Sequence, residues 1–152
     1  MTDLSTLPIE TFVPHRGAMC WLDRLVHAEG DDAAAEATVR PDMLFVQDGA
    51  LPAWAAIEFM AQTIAAWAGH QAWVAGLPVK LGFLLGSRRF ETFQPTFAVG
   101  SVLRIETHCE LLGDNHLGMF SCRVLADGKL LAQANVSVYE VPDERAFAQP
   151  SP

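Results

Sequence analysis

Basic side chains are scarce in this sequence. Ten Lys and Arg stand against eighteen Asp and Glu, giving a formal net charge of −8 and a pI near 4.9. A nucleic-acid binder carries a basic footprint, so this balance argues against that class and leaves room only for a local basic patch. Cysteine is scarce as well. Cys20, Cys109 and Cys122 make an odd count with no metal-ligand spacing. Each reads as a small buried apolar residue in a reducing compartment, and no metal or cofactor is implied. The N-terminal stretch MTDLSTLPIETF has neither a basic nor an apolar region of the secretory type. The longest apolar run is broken by Glu58 and Gln62, whereas a membrane span needs roughly 18 apolar residues in a row. The expected location is the cytoplasm.

Apolar residues, by contrast, are plentiful: 51% of 152 residues, enough for the core of one domain. That domain is expected over residues 1–141, with a loose, proline-bearing tail over 142–152. Most of the apolar material is concentrated in LPAWAAIEFMAQTIAAWAG, Leu51 to Gly69. Pro52 is suited to open a helix there, and Gly76 and Pro78 to close it after about Trp73. From Ala53 to Ala68 the only polar side chains are Glu58, Gln62 and Thr63. A helix apolar on nearly every face must be buried. A carboxylate carried inside with it costs several kcal/mol if left charged and unpaired, so it tends toward the protonated form. A protonated carboxyl is a general acid. Gln62, four residues on, shares its face and is placed to orient it.

The rest of the chain reads largely as strands. Leu7 to Val13 suggests a short helical turn, Trp21 to His27 a strand and Ala35 to Arg40 a weaker one, followed by an irregular loop over Pro41 to Leu51. Beyond the helix the period changes to two. Leu81 to Glu91 is strand-like. Val102 to Leu112 alternates, with Leu103, Ile105, Thr107, Cys109 and Leu111 on one face. Met119 to Leu125 and Leu130 to Val141 follow, joined at the hairpin signal Asp127-Gly128. The sum is an α+β fold in which a curved antiparallel sheet of about six strands wraps one long buried helix, the hot-dog arrangement. Its open edges favour dimerisation.

Two segments carry a family resemblance. PHRGAMCWLDRL, Pro14 to Leu25, resembles the P-H-R…D-R segment of hot-dog 3-hydroxyacyl-acyl-carrier-protein dehydratases of fatty acid biosynthesis. LPAWAAIEFMAQ, Leu51 to Gln62, resembles their P-G-x-x-x-x-E-A-x-A-Q helix, and FLLGSRRF, Phe83 to Phe90, the strand that follows. Together these stretches are most similar to the dehydratase-like proteins of aryl polyene biosynthetic clusters. The resemblance implies a hydro-lyase acting on a carrier-protein-bound 3-hydroxyacyl thioester, with Glu58 as the acid that protonates the departing hydroxyl. It also implies a histidine about 14 residues upstream, in an H-F-P-G loop contributed by the other subunit of the dimer. The sequence departs from the pattern there. Position 44 is leucine, Met43 to Gly49 contains no histidine, and the glycine that opens the family's helix is Ala53.

The missing histidine leaves three readings. The first is a dehydratase, or one subunit of a dehydratase heterodimer whose partner supplies the histidine. The second is a hot-dog thioesterase in which Glu58 activates water or attacks the thioester. The third is a non-catalytic acyl-binding partner. His15 is the best intrachain candidate for a base. Backbone amides near Ala53 and Trp54, at the positive end of the helix dipole, are candidates to polarise a thioester carbonyl. Trp54 is a candidate wall of an acyl tunnel, while Trp67 and Trp73 read as core. Arg88 and Arg89, with Lys80 and Arg16, are candidates for a patch that meets an acidic carrier protein or a pantetheine phosphate. Asp23 and Arg24 suggest a structural ion pair. His70 reads as a helix-end histidine, and His27, His108 and His116 are given no role.

Overall fold

A computed structural model describes residues 2–141; the expected tail, 142–152, lies outside the described residues. The chain adopts the hot-dog arrangement. Strands β1 (Arg24–Glu29), β2 (Asp32–Thr38), β6 (Val102–Leu112), β7 (Leu117–Ala126), β8 (Lys129–Glu140) and β4 (Gly82–Thr92) form one six-stranded sheet in that spatial order. Every neighbouring pair is antiparallel. Helix α1 (Ala56–Val74) lies against it and packs on β2, β6, β7, β8 and β1. Phe59, Met60 and Ala66 on the helix, Leu103 and Ile105 on β6, and Phe120 on β7 close the core. No helix among the described residues is long and apolar enough to cross a membrane.

The helix begins later than Pro52 predicts. A 3-10 turn, Ala53–Ala55, precedes Ala56. Its end follows the sequence signal closely. Gly76 sits at φ 72°, its amide bonds to the Trp73 carbonyl, and the Leu77 amide reaches back to Ala72. This is the left-handed cap that glycine adopts without a side-chain clash. Gly69 has a different task. A methyl group there would lie 1.7 Å from the Phe12 carbonyl oxygen, so the N-terminal segment rests directly on the helix backbone. The Trp67 indole fastens a second loop, donating to the Gly30 carbonyl at 2.9 Å.

Three expectations need correction. Part of the loop predicted over Pro41 to Leu51 is ordered as strand β3 (Ala50–Pro52), which pairs with β5 (Thr96–Ala98). Two three-residue strands are too short to show a period. They are held by Leu51 and Phe97, both fully buried, and by the Ala53 amide, which donates to the Pro95 carbonyl at 2.9 Å. Leu111 is exposed instead of following Leu103 and Ile105 inward, because a register shift between Cys109 and Leu111 turns it over. Asp23 and Arg24 do not pair with each other. Successive side chains along an extended backbone point to opposite sides. Asp23 instead accepts from the Thr38 amide at 2.8 Å and meets Arg40 at 3.4 Å, while Arg24 meets Glu36 at 3.1 Å.

Gly69→Ala forces backbone apart at a fully packed contact. It is expected to lower the unfolding free energy by about 3 kcal/mol, the upper part of the range for overpacked cores, read as a lower denaturant midpoint.

Candidate active site

A cavity of about 370 Å³ lies between α1 and the β4 end of the sheet. One wall is a single stripe of the helix: Glu58, Ala61, Ala65 and Ala68. Spacings of three and four residues put these side chains in a row, about 15 Å long at the helical rise. The alanines leave space where larger residues would fill it. Leu84, Phe120 and Val138 form apolar wall opposite, and His15 enters from the turn after Pro14. Lys80, His116, Tyr139 and Glu140 bring polar groups to the lining, with Lys80 and Glu140 paired at 3.3 Å.

Glu58 is half-buried rather than fully enclosed, because this stripe faces the cavity and not the sheet. Its position is set by Gln62. The Gln62 side chain is buried and makes three hydrogen bonds. Its Oε1 accepts from the Trp21 amide at 2.8 Å, and its Nε2 donates to the Met19 carbonyl at 2.8 Å and to Glu58 Oε2 at 3.2 Å. One amide thus joins the helix, the loop after PHR and the carboxylate. The Trp21 ring then packs on Phe59, 5.1 Å between centroids.

His15 shares the cavity with Glu58. Burial holds its imidazole below the ordinary histidine range, against the opposing pull of the Glu58 carboxylate. Its Nδ1 is buried and has no hydrogen-bond partner among the described residues. An imidazolium would place an N–H at that atom with nothing to accept it, which favours the neutral ring. An orphaned buried N–H is also rarer than an orphaned acceptor. The favoured tautomer therefore carries its proton on Nε2.

The other residues singled out in the sequence are dispersed. Ala53 is buried and its amide is committed to Pro95, so that amide is not free to polarise a carbonyl. Trp54 is 55% exposed and is not part of the cavity lining; it packs on Phe45 outside. Trp67 is core, as expected, but Trp73 is 39% exposed. Arg88 and Arg89 lie exposed on β4, away from the lining, with Arg89 at φ 54° in a bulge. Arg16 is not a free surface charge, since its guanidinium bonds to the carbonyls of Val13, His15 and Glu10. His70 packs with Phe12 and Trp73 at the helix end. His116 is the reverse case: it was given no role and it lines the cavity. Its place depends on the β6–β7 turn lying against the end of β8, where the Glu140 amide donates to the His116 carbonyl at 2.9 Å, a meeting no local pattern encodes.

Thiolate chemistry is not on offer. All three cysteines are buried and unpaired, and burial pushes their thiols up, Cys122 to about 12.

Comparison with known proteins decides the family. The sequence profile of the ApeP-like family, described as ApeP dehydratase, matches residues 7–149. The chain belongs to the ApeP-like dehydratase family. The dehydratase heterocomplex ApeI:P from Xenorhabdus doucetiae contains a chain that is 32% identical to it, over 94% of this chain and 96% of that one, with a TM-score of 0.84. Two more distant structures share the fold alone. A hypothetical thioesterase with coenzyme A from Streptococcus pneumoniae is 11% identical over 77% of this chain and 84% of its own, TM-score 0.60. A conserved protein from Pseudomonas aeruginosa is 14% identical over 87% and 98%, TM-score 0.64. No curated protein matches the sequence.

Two measurements check this description. Gln62→Leu leaves the Trp21 amide and the Met19 carbonyl unpaired in the interior, at about 1–3 kcal/mol for each group; calorimetry should show a correspondingly lower Tm. In an NMR titration with rising pH, His15 should lose its proton before His108 does. Burial lowers His15, whereas the hydrogen bond that His108 Nδ1 makes to the Asp32 carboxylate at 2.6 Å raises His108. Asp32→Asn should bring His108 back down and leave His15 where it is.

Proposed function

We propose that this chain is the acid-bearing subunit of a hot-dog dehydratase heterodimer, acting on 3-hydroxyacyl thioesters held by an acyl carrier protein. The reading rests on one observation: an oriented Glu58 faces an apolar cavity, while position 44, where the resembling enzymes carry histidine, is leucine. The ApeI:P relative is described as a heterocomplex, which supports a partner subunit as the source of the missing group. A long, exposed and apolar edge strand supports pairing as well. Phe83 is 55% and Leu85 57% exposed on β4, and such an edge is a template for another strand.

In this reaction a base removes the C2 proton and the C2–C3 double bond forms. The C3–O bond breaks, and Glu58 gives its proton to the departing hydroxyl, which leaves as water. No redox change occurs. The partner's histidine is the base. Gln62 holds the Glu58 carboxyl in line with the hydroxyl, a positioning role. His15 presents its Nε2 proton to the cavity and so serves substrate positioning better than proton abstraction. The polarising amide belongs to the first turn beyond Ala53. The alanine stripe provides the bed for an acyl chain, in keeping with biosynthesis of a fatty acid or polyene. Arg88 and Arg89 on exposed β4 are proposed to meet the acidic carrier protein, a long-range attraction that does not require them inside the cavity.

The test is turnover of a 3-hydroxyacyl carrier-protein thioester by this chain together with a histidine-bearing hot-dog partner. Glu58→Gln keeps the shape and removes the proton, so kcat should fall by about 10²–10⁴, the usual weight of a general acid. Unchanged turnover would make the chain a non-catalytic subunit. Release of free thiol in place of water would make it a thioesterase. His15→Gln should lower kcat/KM by about tenfold without introducing a new pH limb, whereas loss of a base would remove one.

A further inference from the structure

Outside the cavity, exposed apolar side chains gather beside the start of the helix. Leu44 is 58%, Phe45 48% and Trp54 55% exposed, and the rings of Phe45 and Trp54 meet edge-on at 4.9 Å. Large apolar side chains gathered in water mark an interaction site. The loop that carries them is firmly based. Met43 is buried, its amide bonds to the Arg40 carbonyl, and the Val46 amide bonds to Met43. Gln47 and Ala50 exchange two hydrogen bonds, at 2.9 and 3.2 Å. On this base Phe45 is held at φ 77°, a conformation bulky residues rarely adopt and one that persists only where the surroundings impose it. From Met43 to Gln47 there is no charged side chain.

We propose that the Met43–Gln47 loop selects the partner: it seats at the mouth of the neighbouring hot-dog subunit's cavity and works against pairing of two copies of this chain. The inference rests on the heterodimer reading above. Contacts across a two-fold or pseudo-two-fold axis are reciprocal. If the neighbour's loop reaches Glu58, this chain's loop reaches the matching place on the neighbour. In a pair of identical chains, Leu44 and Phe45 would then cover Glu58 on both sides. Among the described residues, Glu58 has Gln62 as its hydrogen-bond partner and no cation within salt-bridge distance. Removing that carboxyl group from water under leucine and phenylalanine, with no new partner, is unfavourable whether it keeps its charge or takes up a proton, and the like pair suffers it twice. In the unlike pair a histidine arrives at Glu58 instead. The discrimination comes from a repulsive element set against the wrong pair, combined with an attractive one for the right pair. The occupant is thus a hot-dog subunit of different sequence, with a basic group at the position of Leu44.

Self-association of the full chain alone, measured by sedimentation equilibrium, tests this. Glu58→Gln removes the buried charge, and Leu44→His supplies a partner for it. Each should tighten the dissociation constant of the like pair at least tenfold relative to the unsubstituted chain. The gain from Leu44→His should disappear in a chain that also carries Glu58→Gln, because the carboxylate it meets is gone. No tightening in either single variant overturns the proposal, as does a Leu44→His gain that survives Glu58→Gln. The outcome is separable from the dehydratase reading. If Glu58→Gln abolishes turnover of the mixed complex yet leaves self-association unchanged, only the partner-selection role fails. If turnover persists, the catalytic reading fails first.

Discussion

Gln62 is the fixed point of this structure. A buried primary amide can donate twice and accept twice, and an unmet group in the interior is costly. Here three of those capacities are used on three different parts of the chain: the Trp21 amide, the Met19 carbonyl and the Glu58 carboxylate. The PHR segment is therefore not merely near the helix but tied to it. His15 comes to lie in the same cavity as Glu58 through that tie. Gly69 does the same service about two helical turns away, where the absence of a side chain lets Phe12 rest on the backbone.

The cavity follows from what the helix omits. Phe59, Met60 and Ala66 fill the side turned to the sheet, while Ala61, Ala65 and Ala68 leave the other side shallow. The sheet contributes by departing from regularity. β4 runs as an edge with register shifts on either side of Gly86 to Arg88, and α1 packs on the other five strands of the sheet more than on it. A helix with one small-residue face beside a sheet that does not close over it leaves an apolar slot with a carboxylate in its lining.

Much of the fold was legible because long elements repeat their signal. α1 announced itself through an unbroken apolar stretch and a Gly-Pro stop, and β6 to β8 through alternation and Asp127-Gly128. The short strands β3 and β5 gave no such signal, since three residues cannot show a period. The inward sequence of β6 failed at Leu111 because one shifted residue exchanges the faces. Of the site, Glu58 and Gln62 were readable from one helix. Trp54 was placed wrongly because the 3-10 turn before Ala56 directs it to solvent beside Phe45.

Residue type and spacing were enough to read the helix, the glutamate on it, the amide four residues on, the strand-rich remainder and the leucine at position 44. These are properties of neighbours in the chain, fixed by periodicity and residue type. Folding, by contrast, brings His15 into the cavity with Glu58, joins His116 and Tyr139 to it, engages the Ala53 amide and sets Phe45 against Trp54 in water. Each depends on segments distant in sequence meeting at a particular register and depth. Such meetings are set by the balance of burial and hydrogen bonding over the whole fold, which no single stretch of residues contains.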